Sequence, residues 1–163
     1  MNVSDDHFDA APTGDGVLVR MSDNVAEVLG HRIGLLARFL ETGEVDTPPG
    51  GLFRRKTTPE DVVRRMFPDV YADRAEADAF RARHTAVLGD SGPARRFVAR
   101  CAAGSEHVLP RAEVEEWLGV LSQVRFLTLD RDRAPKPHPD LVWFDWALSA
   151  LLLALHPDWL RPR

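Results

Sequence analysis

The spacing of apolar positions divides the chain into one short alternating stretch and a series of helical ones. The segment FDAAPTGDGVLVRMS (8–22) places two short apolar pieces around the turn Thr13-Gly14-Asp15-Gly16, which predicts a small N-terminal β-hairpin. From Ser22 the period changes. Val25, Val28, Leu29, Ile33, Leu36, Phe39 and Leu40 recur at three and four, predicting a helix capped by Ser22, running to about Thr42 and stopped by Gly43. EVDTPPGGLFRRK (44–56) reads as a loop through its Pro-Pro-Gly-Gly centre.

Two further helix starts follow. Thr58-Pro59-Glu60-Asp61 combines a hydroxyl cap, a first-turn proline and acids facing the dipole, and Pro68 keeps that helix short. Asp73 and Glu76 open the next one, with Phe80, His84, Val87 and Leu88 on one face and Gly89 as its break. Ser91 is placed as a cap with Pro93 just inside, for a helix from Ala94 to about Ala103. Pro110 to about Asp130 carries Val114, Trp117, Leu118, Leu121, Val124 and Leu127 on one face. The loop Arg131–Pro139 holds three prolines and leads to Asp140 as the cap of Leu141–Leu155. That last helix is apolar almost all round, the pattern of a central core helix or of one that also serves an oligomer interface. The predicted architecture is mainly α: one domain over 1–163 with about six helices, packed around the last two, and with 1–22 forming the hairpin and tail.

Composition fits that picture. A chain of 163 residues with 44% hydrophobic and 28% charged residues can bury one core. The net charge of −4 argues against a protein living mainly on phosphate contacts. Nearly all basic residues are arginine, with Lys56 and Lys136 the exceptions, a bias of high-GC bacterial genomes. A single cysteine excludes an intramolecular disulfide and a cysteine zinc knuckle. MNVSDDHFDA is acidic and has no apolar core of a signal peptide, and Leu141–Leu155 is too short to span a bilayer, so a cytoplasmic protein is expected.

Candidate chemistry is sparse. LGDSGPARRF (88–97) resembles the nucleophile segment of chymotrypsin-like proteases, yet that chemistry needs a two-barrel β-fold with histidine and aspartate far upstream, so Ser91 is read as a helix cap. Cys101, beside Arg100, is a candidate redox thiol, weighed against burial as a small hydrophobe. Arg54, Arg55, Lys56, Arg64 and Arg65 form a candidate basic partner-binding patch, and Arg95, Arg96 and Arg100 form another. Both are weighed against a solvated, balanced face. Arg125 and Asp145 are a candidate structural ion pair between two apolar helices. The six histidines show no metal spacing, and no catalytic set or cofactor site is expected.

Three stretches resemble a known family: RRMFPDVYADRAEADAFRARHTAVL (64–88), VLPRAEVEEWLGVLSQVRFLTL (108–129) and LVWFDWALSALLLAL (141–155). Phe67-Pro68-Asp69, Tyr71, the Trp117-Leu118 to Arg125 stretch and Asp145-Trp146 carry most of the likeness. The family is that of the actinobacterial oxidative-stress regulator AosR, long filed as a domain of unknown function. The resemblance implies a small helical regulator without enzymatic activity, binding a sigma factor or other transcription machinery in redox or sulfur metabolism. With one cysteine, this chain has no thiol switch within itself. Three functions are therefore carried forward: a non-catalytic regulatory adaptor with a protein partner, a direct DNA binder through 54–65, and an accessory protein or enzyme of a sulfur-transfer or biosynthetic pathway using His84, Asp145 and Cys101. A homodimer through the C-terminal helix is a separate expectation.

Overall fold

The computed structural model describes residues 6–45, 61–62, 73–79, 82, 90–128 and 139–160. The chain begins with strands β1 (Phe8–Pro12) and β2 (Gly16–Met21), followed by helix α1 (Asp23–Thr42). Helix α2 (Gly92–Ala103), strand β3 (Glu106–Pro110), helix α3 (Arg111–Thr128) and helix α4 (Pro139–Leu155) complete the labelled elements, with a 3-10 turn at Pro157–Leu160. Residues 61–62 and 74–79 are also helical. The expected mainly helical fold is what is observed. The expected loop and short helix around 46–60 and 63–72, and the face carrying Phe80, His84, Val87 and Leu88, lie outside the described residues.

The predicted hairpin is present and belongs to a larger unit. β1 and β2 pair antiparallel from Phe8↔Met21 to Pro12↔Val17, and β3 adds to the far side of β2, giving the order β1-β2-β3. β3 contradicts the expected start of a helix at Pro110, because that residue ends the strand and the helix begins at Arg111. Two local constraints hold the sheet. Gly16 lies so close to the Leu109 carbonyl that a Cβ there would press into its oxygen. On the outer side of β1, the Trp146 indole N–H donates to the Phe8 carbonyl at 2.8 Å, and Pro12 has no N–H to leave unpaired.

α1 forms for the reasons its sequence suggests. The Ser22 hydroxyl accepts from the Val25 N–H at 3.4 Å. At the other end Gly43 takes φ 71°, and its N–H bonds the Phe39 carbonyl at 2.8 Å. Val25, Leu29, Ile33, Leu36 and Phe39 line its buried face, joined by Ala26 and Ala37. Each large apolar side chain buried this way contributes about 1.5–3 kcal/mol.

Two predicted caps are corrected. Ser91 precedes α2 but has helical φ −79° and ψ −7°, and its side chain makes no capping bond. Its hydroxyl donates instead to Glu41 on α1 at 2.9 Å, while the Asp90 carboxylate accepts from the Gly92 N–H at 2.9 Å. A nearby carboxylate draws the hydroxyl outward, and the shorter Asp90 loop fills the capping role. Asp140 lies inside α4, because Pro139 occupies the first helical position. Its carboxylate takes the Arg32 guanidinium at 2.6 Å, tying α4 to α1.

One hydrophobic cluster joins sheet and helices. Phe97 of α2 stacks on Trp117 of α3 with ring centroids 3.8 Å apart, and both are buried. Among the described residues the Trp117 indole N–H has no hydrogen-bond partner, and what holds the ring there is packing. From α4, Leu141, Phe144, Ala147, Leu151 and Ala154 enter the same core. The two last helices do pack together as expected, although α1 shares the centre with them.

The Gly16 constraint yields a direct test. Gly16→Ala should destabilise the protein by about 1–3 kcal/mol in urea unfolding, the range for a side chain forced into filled space. Gly14→Ala, where a Cβ meets nothing within 4 Å, should leave the midpoint nearly unchanged.

Candidate functional site

The arginines of α2 are held by carboxylates from both neighbouring helices. Arg95 grips Glu41 of α1 through two bonds of 2.8 and 2.6 Å. Arg96 holds Glu116 of α3 at 3.1 and 2.9 Å, and Arg100 holds Glu113 with two bonds of 2.8 Å. Each is a two-pronged guanidinium–carboxylate contact, a geometry that fixes orientation as well as charge. The group Arg95, Arg96 and Arg100 is thus neutralised and acts as a clamp between α1, α2 and α3. The other expected patch, Arg54, Arg55, Lys56, Arg64 and Arg65, lies outside the described residues.

Glu41 shows the electrostatic consequence. Hydrogen bonds from Arg95 and then Ser91 lower its pKa from 4.5 to about 2. Since the folded carboxyl titrates below the unfolded one, its contribution to stability is whole above pH 4.5 and is lost as the pH falls toward 2. The pair is exposed, so salt weakens it.

Cys101 sits on α2 where that helix crosses α1. A Cβ built on Gly30 of α1 would stand 3.3 Å from the Cys101 Cβ, so the absence of a side chain at residue 30 makes room for the thiol. Burial pushes the Cys101 pKa up to about 12, only partly opposed by a backbone hydrogen bond. Arg100 does not counter this, because its guanidinium is committed to Glu113. Such a setting disfavours the thiolate that redox chemistry requires.

Arg125 and Asp145 do meet, with Nη2 3.1 Å from Oδ1, linking α3 to α4. The expectation that they offset each other's burial is corrected: their side chains are 43% and 56% exposed. Arg125 Nε is nonetheless buried and has no hydrogen-bond partner among the described residues. Asp145 and Cys101 therefore belong to different helix contacts, and His84 is outside the described residues. Among the described residues no three His, Cys, Asp or Glu side chains come together as metal ligands.

Strand β3 carries the feature that hydropathy conceals. His107 is buried, with its Nε2–H donating to the Gly104 carbonyl at 2.8 Å, while the neighbouring Val108 is 62% exposed. Strand alternation explains the inversion. Leu109 must face the core opposite Val17, so His107 opposite Val19 faces inward too and Val108 is turned outward. The Met21 N–H bonds the Ser105 carbonyl, so the backbone groups of odd-numbered residues point to β2 and those of Glu106 and Val108 point away from it. Among the described residues β3 has no strand on that side. Beside Val108 lie half-buried Leu18 and, across β2, exposed Ala11, with the Arg20–Glu106 ion pair at 2.6 Å as a border. Sequence reasoning missed this surface, although the alternation of EHVLP (106–110) was the available signal.

Residues 6–135 match the model of a family described as a domain of unknown function, DUF2017. The chain belongs to that family. No curated protein and no solved structure matches it. The matched region of this DUF2017 member includes the sheet, the arginine clamps of α2 and Cys101, and ends before α4. No helix among the described residues is long and apolar enough to cross a membrane.

Two measurements probe these groups. Glu41→Gln should lower the urea midpoint at neutral pH, and its deficit against the parent chain should close as pH is lowered from 4.5 toward 2. Folded Cys101 should react with a thiol reagent on the order of 10³-fold more slowly than in the unfolded chain, the ratio that a rise from 9.0 to about 12 gives near neutral pH.

Proposed function

We propose that this protein is a non-catalytic regulatory adaptor that binds another protein, with the open side of β3 as its docking edge. The observation that carries the reading is Val108. Its side chain is 62% exposed on a strand whose outward backbone groups, at Glu106 and Val108, have no strand partner among the described residues. An extended segment of a partner can pair there as a fourth strand, drawing affinity from main-chain hydrogen bonds and selectivity from the Leu18–Val108 surface. The flanking Pro110, which offers no N–H, limits such pairing to a short segment.

The AosR resemblance supports a partner in the transcription machinery, such as a sigma factor, and a role in redox or sulfur metabolism. An internal disulfide switch is unavailable to a chain with one cysteine. The thiol's high pKa further favours an adaptor whose own cysteine packs, with any response to oxidants residing in its partner. Direct DNA binding would rest on Arg54, Arg55, Lys56, Arg64 and Arg65 and lacks a comparable observation among the described residues.

Titration calorimetry of the purified chain against a panel of purified sigma factors tests the adaptor reading. Saturable binding should weaken at least tenfold in Val108→Asp, with the circular dichroism of the free chain unchanged. Turnover of a small molecule, or binding to duplex DNA that collapses with salt while Val108→Asp has no effect, would overturn it.

A further inference from the structure

α4 presents two apolar faces: one enters the core, and the other, apart from the Trp146 bond to β1, stays largely in water among the described residues. Opposite the core face, Val142 is 56% exposed, Trp146 57% and Leu153 37%, with exposed Ser149 between the last two. These four residues follow one another at steps of four, three and four. At 100° per residue they fall within an arc of about 60°, a narrow stripe on one side of the helix. The stripe carries no charge, and the adjacent Asp145 is already paired with Arg125. Trp146 is held by its N–H bond to the Phe8 carbonyl, so its large exposed ring is presented in a fixed orientation.

The geometry points to a second copy of this chain as the occupant of that stripe. The spacing reads the same in both directions. An antiparallel α4–α4 pair with its two-fold axis level with the Ala147–Leu148 peptide sets Trp146 of each copy against Ser149 of the other and Val142 against Leu153. Large residues meet small or complementary ones, as interdigitated helix packing requires. The same register sets Asp145 against Ala150 of the other copy, so the two carboxylates do not face each other. Val142, Trp146 and Leu153 leave on the order of 300 Å² per chain in water, and pairing two copies covers about twice that. Half-buried Trp143, Ala150 and His156 flank the stripe as the rim of that apolar centre. Such an isologous contact closes on itself and leaves no apolar stripe exposed for filament growth.

The inference stands apart from the adaptor reading, because it uses a different surface and a different readout. Sedimentation of the full chain at micromolar concentration should give twice the 18.2 kDa chain mass. Ser149→Arg, which places a charge where the Trp146 ring of the other copy docks, should raise the dimer dissociation constant at least about a hundredfold while leaving the helical signal intact. A short bifunctional thiol reagent should cross-link Ser149→Cys to itself across the axis and leave Arg38→Cys, on the exposed side of α1, uncoupled. A monomeric mass throughout the range, or a dimer indifferent to Ser149→Arg, would overturn the proposal. A dimer that Ser149→Arg dissociates but that Ser149→Cys cannot bridge would overturn the antiparallel register.

Discussion

The buried face of α1 is the surface against which the rest of the described structure is ordered. Leu29, Ile33 and Leu36 are wholly removed from water, and α2, α3 and α4 each pack on this helix. One helix can serve three others because its apolar residues are joined by Ala26, Gly30 and Ala37, which let neighbouring backbones approach. The Cys101–Gly30 contact is one result of that approach. Close packing leaves little room for adjustment, so the positions of α2 and α3 follow from that of α1.

Charge then fixes what packing leaves free. Apolar faces determine that helices associate but specify rotation and register weakly. The paired bonds from Arg95, Arg96 and Arg100 to Glu41, Glu116 and Glu113 add direction at the rim of the same contacts. Arg32 with Asp140 and Arg125 with Asp145 do the same for α4. An arginine-rich chain of net charge −4 thus employs several of its cations in pairs between helices, and among the described residues two apolar surfaces remain.

Two such surfaces lie on different elements. Val108 is exposed because strand alternation commits Leu109 to the core, and the stripe from Val142 to Leu153 is exposed because one helix can turn only one side inward. Neither is accidental exposure of a single side chain. The first offers backbone hydrogen bonds as well as apolar area, which suits an extended segment. The second offers side chains alone in a palindromic spacing, which suits another helix like itself.

How much of this was legible depended on range. Local periodicity determined the hairpin, α1 with its Ser22 and Gly43 ends, and the apolar faces of α3 and α4, because these patterns are written within a few turns of chain. The Arg125–Asp145 pairing was also legible, since Asp145 is the one charge within the apolar run Leu141–Leu155 and Arg125 lies in the apolar half of α3. Distant partners decided the rest. The Ser91 hydroxyl was drawn to a carboxylate fifty residues away in sequence, leaving Asp90 to cap, and Asp140 pairs with Arg32 of α1. β3 formed because β2 offered a free edge, and its register buried a histidine and exposed a valine against their hydropathies. The sequence by itself determined which segments could be helices and that the chain would be mainly α. Only the tertiary structure decided which arginines would be neutralised, which strand would remain open and which side of α4 would meet water, because each depends on groups that only folding brings together.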